Sequence, residues 1–320
     1  GGGEPSGCAF ELWSFERGLE PAEILKKWEI NGQEAANRGT DAHYQIELWL
    51  NCDNCRMEEP EVAVALQFVG TVLADLGAKV FRTEWRIFGE AEDLAGSIDC
   101  AARLPGGELV LVDWKRSDKL RKGLRSFFDD DCMAPPFEHL QDCKCSVYSL
   151  QLNLYRWLLE AYYGERVALM ILVSVHPEAP FVTAVPDLRR EVSFLMAERR
   201  RRHAQVLRAE AKAPEALRCA HSRQLMTDPV LLDGTHYQRG CARRLLSRRG
   251  PGADGLELRA ADLLRQDSEA LIEAEASTAQ GTRDGEALHF AWSELQAQRR
   301  PWQELMPKEG LSVADARIPC

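Results

Sequence analysis

Two carboxylates and an amine stand near one predicted strand end in the middle of this chain. The segments Gly96–Asp99 and Gly106–Lys115 are typical of two strands joined by a Pro-Gly-Gly turn. Side chains alternate along a strand, so Asp113 and Lys115 share one face, and the hairpin brings Asp99 in as a second acid. This combination packs poorly, and it suits a divalent cation together with a phosphodiester.

The chemistry that these residue types support is metal-assisted hydrolysis. A hard cation such as Mg²⁺ or Mn²⁺ prefers carboxylate oxygens, polarises a phosphate and lowers the pKa of a bound water. A lysine beside the cation can hold that water or stabilise the charge that grows on the phosphate. The alternative interpretation is an exposed strand end with an Asp–Lys ion pair, because such short patterns often arise by chance.

A predicted helix supplies two further polar groups. Thr40 is a candidate N-cap after Gly39, and the residues that follow have helical spacing. His43 and Glu47 are then one turn apart on one face. Each of these side chains alone is more often structural or solvated than functional, and both gain significance if their face meets the two acids.

The elements around this site follow from hydrophobic periodicity. Apolar residues recur at helical spacing from Glu61 to Lys79, and a strand is predicted over Glu84–Phe88. A strong helix pattern covers Tyr148–Leu159, and a buried-strand pattern covers Val167–Val175. The order of helix, three strands, helix, strand and helix predicts an α/β domain with a mixed central sheet.

Composition sets limits on the partners. The 320 residues carry a net charge of −10, which excludes a protein coated in nucleic acid by bulk electrostatics but allows a local basic groove. No apolar run is long enough to cross a bilayer, so we expect no membrane partner. The ten scattered cysteines suit an intracellular, reducing compartment better than a disulfide framework, and the nucleus or a DNA-containing organelle is compatible with this expectation.

A basic cluster follows the candidate site in sequence. Lys119, Arg121 and Lys122 come shortly after Lys115. As substrate-binding residues they would track a nucleic-acid backbone. The alternative is a solvated loop, which is what runs of charge usually form.

Four short motifs follow one another along the first part of the chain: Arg38-Gly39-Thr40-x-x-His43, Gly96-x-Ile98-Asp99, Asp113-Trp114-Lys115 and Gln151-x-x-x-Tyr155. Each motif alone is a weak signal, and their ordered coincidence is a strong one. Together they resemble the PD-(D/E)xK nuclease superfamily, and within it the RecB-like exonucleases, over about residues 30–190. The resemblance implies a restriction-endonuclease-like αβββαβ core with a mixed central sheet.

The resemblance also implies the ligands of a Mg²⁺ or Mn²⁺ ion. They are His43, Asp99, Asp113 and the carbonyl of Trp114. Glu84 would sit close by as an extra contact to the metal or its water.

Catalytic roles are implied in the same way. Lys115 is the catalytic lysine and acts with the three acids just named. Gln151 and Tyr155 would touch the substrate strand or brace the strand that carries the lysine, and Glu47 would support the site.

Some relatives in this branch carry an iron–sulfur cluster on one cysteine before the motifs and three cysteines after them. Here Cys219 and Cys241 are the cysteines that lie well beyond the last motif and before Cys320. We therefore expect no iron–sulfur cluster.

A second pattern occupies the C-terminal third of the chain. The stretch Leu225-Met226-x-Asp228-Pro229-Val230 is followed by Gly234, Tyr237, Arg239 and an apolar helix. It is similar to a U-box, a small zinc-free α+β domain of ubiquitin ligases, over about residues 215–275. The resemblance implies a ubiquitin-conjugating enzyme as partner, with Leu225, Asp228, Pro229 and Tyr237 in the conserved pattern of that family. A scaffold or interaction domain is the alternative to a working ligase.

We therefore expect three segments: a RecB-like nuclease domain over 1–212, a U-box-like domain over 213–275, and a tether with an amphipathic tail over 276–320. The expected function is that of a metal-dependent deoxyribonuclease, acting as an exonuclease on single-stranded DNA or DNA ends. The alternative is an adaptor that binds nucleic acid or protein and whose U-box-like domain supports ubiquitin ligation.

Overall fold

The structure is a computed structural model that describes residues 21–118, 120, 132–248, 258–278, 283–297, 300 and 302–305. Within these residues the chain divides into two compact units. The first contains the described residues up to Ile87, those from Gly96 to Leu188 and those from Arg300 onwards. The second contains Phe88–Ala95 and the described residues from Arg189 to Arg299.

A five-stranded mixed sheet forms the centre of the first unit, so the predicted α/β class with a mixed central sheet is confirmed. The strands lie side by side in the order of the chain. The β2 strand runs antiparallel to β3, β3 runs parallel to β4, and β4 runs antiparallel to β5. The strands are β1 (Lys79–Gly89), β2 (Leu94–Arg103), β3 (Leu109–Lys115), β4 (Val167–Ser174) and β5 (Phe181–Ala184).

Strand β3 is the most deeply buried element of the sheet. Its residues from Leu109 to Trp114 are all buried, as expected for an aliphatic strand that is covered on both faces. The Trp114 ring packs edge-on against Phe68 with the ring centroids 5.5 Å apart. The turn before β3 forms as predicted, with Gly107 at a φ of +97°, where glycine has no steric penalty.

The helices that precede β1 or lie between β3 and β4 in the described chain are α1 (Pro21–Leu50), α2 (Pro60–Phe68) and α3 (Lys144–Tyr162). Helix α2 continues as a π-helical turn over Val69–Leu73. A core cluster joins the inner faces of α1 and α2 to the sheet; it includes Ile46, Val62, Phe68, Val112 and Ile171. This cluster fixes α1 on the sheet, and α1 carries His43.

The predicted N-cap at Thr40 is wrong. Helix α1 begins at Pro21 and continues through Gly39 and Thr40. The Thr40 hydroxyl donates to the Ala36 carbonyl at 3.1 Å, which is how threonine satisfies its hydroxyl inside a helix. The phase of the helix is unaffected, so His43 and Glu47 still lie one turn apart.

Buried polar contacts hold α3 in place. Asn153 donates to the Pro186 carbonyl at 3.0 Å and accepts from the Leu188 N–H at 2.9 Å. The buried guanidinium of Arg156 lies 2.7 Å from the half-exposed Asp187 carboxylate. Because the side chains of Asn153 and Arg156 are buried, their directional bonds fix the rotation of α3 about its axis.

The second unit combines helices with a small sheet. The sheet has the order β7-β6-β8, in which β6 is Pro229–Leu232, β7 is Thr235–Gln238 and β8 is Arg259–Ala260. The helices are α4 (Arg189–Lys212), α5 (Arg239–Arg248), α6 (Asp262–Thr278) and α7 (Arg283–Ala297), and a short helix covers Trp302–Leu305 in the first unit. No helix within the described ranges has the length and apolarity that a membrane span needs.

The arginine run of α4 forms intramolecular contacts inside the second unit. Arg199 donates to the carbonyls of Glu92 and Asp93. Arg200 lies 2.5 Å from the fully buried Glu92 carboxylate. Arg201 pairs with Glu198, one turn earlier. These arginines therefore stabilise the fold by pairing with nearby carboxylates and by donating hydrogen bonds to nearby carbonyls.

We expect the substitution Arg200→Ala to lower the free energy of unfolding by about 1–3 kcal/mol, because it removes a charged hydrogen bond from a buried carboxylate. The matched substitution Arg201→Ala should cost less than about 1 kcal/mol, because its partner Glu198 is partly solvated. Urea unfolding of both variants measures the difference. Equal losses of unfolding free energy in the two variants would show that the Arg200–Glu92 pair stabilises the protein no more than the Arg201–Glu198 pair.

Candidate metal centre

Three side chains from three elements place ligand atoms within 4.8 Å of one another: His43, Glu84 and Asp99. His43 comes from α1, Glu84 from β1 and Asp99 from β2. Two carboxylates and an imidazole are ligands that Mg²⁺ and Mn²⁺ accept. The sequence separation of the three residues means that the tertiary fold creates this group.

Asp99 is held by contacts on two sides. Its Oδ2 lies 3.4 Å from Nδ1 of His43. The same oxygen accepts the Trp114 backbone N–H at 2.9 Å. Cys100 pairs with Val112 in the antiparallel β2–β3 ladder. Asp99, one residue before Cys100, therefore lies at the same strand end as Asp113, one residue after Val112.

Glu84 enters the group through an unusual backbone conformation. Its φ is +43°, which is uncommon for a residue other than glycine and often marks a functional site. On β1, Val80 packs against the core cluster before this residue, and Trp85 and Ile87 are buried after it. The Ser97 hydroxyl donates to the Glu84 carboxylate at 2.8 Å and orients it.

Lys115 and Asp113 lie on one face of β3, next to this group. Nζ of Lys115 is 2.6 Å from Oδ2 of Asp113. The same ammonium stands 4.8 Å from the ring centroid of Tyr148 on α3, a distance at which the ring attracts a cation. Trp114, between them in sequence, turns to the opposite face and into the core.

Asp113 carries a buried oxygen that a cation could use. Its side chain is 2% exposed, and Oδ2 accepts no hydrogen bond of acceptable geometry from the described residues. Its close partner is the Lys115 ammonium at 2.6 Å, whose charge also acts on Asp99. A buried carboxylate oxygen needs a compensating partner, and a divalent cation beside the two acids would supply further positive charge. The residues present fit such an ion.

Burial controls the protonation of both aspartates. It raises the pKa of Asp99 to about 6, against the opposing charge of Lys115. It raises the pKa of Asp113 to about 7, and the negative charge of Asp99 adds to this rise. Two buried acids that share one lysine resist simultaneous ionisation, and a bound cation removes that resistance.

The imidazole and the ammonium take opposite charge states. Burial and the charge of Lys115 lower the pKa of His43, so the ring is neutral near pH 7, as a metal ligand must be. Burial lowers the pKa of Lys115, but the charges of Asp113 and Asp99 outweigh it and leave the pKa raised. Lys115 therefore remains an ammonium.

Tyr155 packs directly on the backbone of β2. A Cβ added at Gly96 would overlap Cε1 of the Tyr155 ring, so a larger residue here would force the ring or the strand to move. Gln151 donates to the Tyr155 hydroxyl at 2.7 Å and fixes the ring. The two residues of the fourth motif therefore lie against the strand that carries Asp99, one strand away from Lys115.

Other predicted residues lie at some distance or outside the described chain. Glu47 is half-buried one turn after His43, and it is not part of the three-residue ligand group. Lys119, Arg121 and Lys122 lie outside the described residues. Sequence reasoning missed Ser97 and Tyr148; the position of Ser97 between two motif residues was the only available signal.

The residues of the second sequence pattern, in the C-terminal third of the chain, lie in the second unit. Asp228 accepts two bonds from the Arg239 guanidinium, at 2.8 and 3.1 Å. Pro229 begins β6, Leu225 is buried, and Tyr237 packs between two small clusters of buried residues. The Asp–Arg contact joins the start of β6 to the start of α5.

No protein-family model matches this chain, and no curated protein matches it either.

We expect Gly96→Ala to lower the free energy of unfolding by about 1–3 kcal/mol, since the new methyl group overlaps the Tyr155 ring. The double substitution with Tyr155→Ala removes the overlap. In a urea-unfolding double-mutant cycle it should therefore cost less than the sum of the single substitutions. Strict additivity would mean that the two residues do not touch.

The affinity for Mn²⁺ should fall as the pH decreases from about 8 to about 5, because protons compete for Asp99 and Asp113, whose pKa values are about 6 and about 7. The fall should approach about tenfold per pH unit for each acid below its pKa. Calorimetric titration of Mn²⁺ at several pH values measures it. An affinity that does not change over this range would remove both aspartates from the site.

Proposed function

We propose that this protein is a metal-dependent deoxyribonuclease that hydrolyses phosphodiester bonds in single-stranded DNA or at DNA ends. The observation that carries the proposal is the convergence of His43, Glu84 and Asp99 next to the Asp113–Lys115 pair. The preference for single strands and ends comes from the resemblance of the four motifs to RecB-like exonucleases. The predicted Mg²⁺ or Mn²⁺ cofactor belongs to the same proposal.

When bound, the divalent cation polarises the phosphodiester and lowers the pKa of the attacking water. His43, Asp99 and Asp113 would hold it together with the carbonyl of Trp114. Glu84, oriented by Ser97 at 2.8 Å, would offer a further carboxylate. The neutral His43 ring can offer a lone pair to the ion, and the two aspartates would bind it in their ionised form.

Lys115 supplies positive charge where negative charge develops. Its ammonium is held between the Asp113 carboxylate at 2.6 Å and the Tyr148 ring at 4.8 Å. A donor fixed in this way stabilises the growing charge on phosphate oxygens without reorganising first. Gln151 and Tyr155 brace the neighbouring strand, so that the acids keep their positions relative to the lysine.

The finer fold assignment is also a proposal. We infer a restriction-endonuclease-like αβββαβ core in the first unit, supported by the order α1, α2, β1, β2, β3, α3, β4, in which α2 is an additional helix, and by the parallel pairing of β3 with β4. The domain bounds of 1–212, 213–275 and 276–320 and the U-box-like assignment for the second of these segments remain part of this proposal.

The decisive variant is Lys115→Ala. We expect a loss of at least about 100-fold in the rate of Mg²⁺- or Mn²⁺-dependent cleavage of end-labelled single-stranded DNA, which is typical for removing one preorganised charge donor. Metal binding should persist, because lysine is not a ligand. The exposed substitution Lys27→Ala is the matched control. A wild-type protein without cleavage on any DNA, or equal rates for the two variants, would contradict the proposal.

A second candidate is supported by the contact between Asp228 and Arg239, which joins the start of the small β6–β7–β8 sheet to α5. We propose that this unit acts as an adaptor that binds a ubiquitin-conjugating enzyme and supports ubiquitin ligation. Autoubiquitination in vitro, lost on substitution of Leu225 or Pro229, would favour ligase activity. No chain formation with any conjugating enzyme would leave a scaffold.

A further inference from the structure

Strand β1 is an edge of the five-stranded sheet, and its outer side combines aromatic rings with arginines. The ring of Phe81 is 42% exposed. The guanidinium of Arg82 stands 4.8 Å from the Trp85 ring centroid and 5.5 Å from that of Phe81. Arg103 on β2 lies 4.2 Å above the Phe81 ring. We call these four residues, Phe81, Arg82, Trp85 and Arg103, the β1 platform.

Contacts with neighbouring side chains hold three of the four platform residues. Trp85 is nearly buried and contacts Tyr163 edge-on, with centroids 5.8 Å apart. Phe81 contacts Trp85 in the same way at 5.9 Å. Arg103 is fixed by Glu165, which accepts two bonds at 2.9 and 3.1 Å. A stacking surface that is already ordered loses little entropy when a planar ligand binds to it.

The cations of β1 have no acidic partner. Lys79, Arg82 and Arg86 are exposed and form no ion pair with any residue that the structure describes. This is notable in a protein with a net charge of −10, whose arginine run on α4 is neutralised by nearby groups. Three uncompensated cations on one exposed strand form a local positive surface that complements a polyanion.

The positive strand leads directly to the candidate metal centre. Arg82 and Arg86 each lie two residues from Glu84, which corresponds to about 7 Å along a strand. Phe81 lies three residues away, or about 10 Å. A chain that passes the metal group along β1 therefore meets the platform within a short distance of the phosphate to be cleaved.

We propose that the β1 platform binds a base of single-stranded DNA, stacked on Phe81 and the guanidinium of Arg82, while Arg86 and Lys79 neutralise neighbouring phosphates. The identity of the polymer rests on the proposed nuclease function. Aromatic rings and guanidinium planes stack on unpaired bases without strong sequence preference. A duplex covers the faces of its bases, so the platform selects single strands.

The test is the dissociation constant of a labelled single-stranded oligonucleotide, measured by fluorescence anisotropy with the full chain in EDTA, where no metal-dependent cleavage interferes. We expect Phe81→Ala to weaken binding about tenfold, the typical effect of removing one stacking ring, and Phe81→Trp to keep it. The control Phe290→Ala removes another exposed phenyl ring, which is 69% exposed, from α7 and should have no effect.

Two further variants separate stacking from charge. Arg82→Lys keeps the charge but loses the planar face, and it should weaken binding several-fold. Arg86→Ala should reduce the slope of the logarithm of the binding constant against the logarithm of the salt concentration by about one, which corresponds to the loss of one phosphate contact. Affinity for duplex DNA should be unchanged in Phe81→Ala. Equal single-strand affinity of Phe81→Ala and wild type, equal losses for single strands and duplex, or no binding by wild type would overturn the proposal.

The outcomes also distinguish this proposal from the nuclease function. If the wild type cleaves DNA and Phe81→Ala binds single strands normally, the proposal that the β1 platform binds a base is wrong and the proposed nuclease function is supported. If the wild type binds single strands through Phe81 but cleaves no DNA, the base-binding proposal is supported and the proposed nuclease function is wrong. Thermal unfolding of Phe81→Ala and of Phe81→Leu verifies that both variants are folded.

Discussion

The burial of two aspartates beside one ammonium is the constraint on which the site depends. Asp99 and Asp113 lie at adjacent strand ends, burial raises the pKa of each, and Lys115 alone cannot neutralise both. A protein core that only needed stability would place apolar residues here, because paired buried charges seldom repay their desolvation. The arrangement is explained if a divalent cation supplies the missing positive charge, and the packing of α1, α3 and the β2–β3 hairpin serves to hold that group together.

The parts of this site that strand periodicity controls could be predicted. Alternation along β3 places Asp113 and Lys115 on one face and Trp114 on the other, and a Pro-Gly-Gly turn brings β2 alongside. The left-handed conformation of Glu84 could not be predicted, because nothing in its local sequence demands it and its side-chain partner Ser97 lies on a different strand. The N-cap prediction for Thr40 was wrong because a threonine hydroxyl finds a backbone partner both at the start of a helix and inside it. Only the length of α1 decides between these two positions.

Charge distribution distinguishes the two arginine-rich parts of the chain. On α4 the arginines pair with Glu92, Glu198 and nearby carbonyls, so this basic run stabilises the fold. On β1 the cations are fewer and more widely spaced, and they are left without acids among the described residues. Whether a positive group remains available to a polyanion therefore depends on whether a nearby acid or carbonyl pairs with it, and the sequence composition does not reveal this.

The most direct test of the account is the binding of Mn²⁺ followed by electron paramagnetic resonance. The account predicts that the wild-type protein binds the ion near pH 8 and that Asp99→Asn and His43→Ala each abolish this binding while remaining folded, since both residues belong to the same ligand group. Unchanged Mn²⁺ binding in Asp99→Asn would contradict the central claim that these side chains form a metal centre.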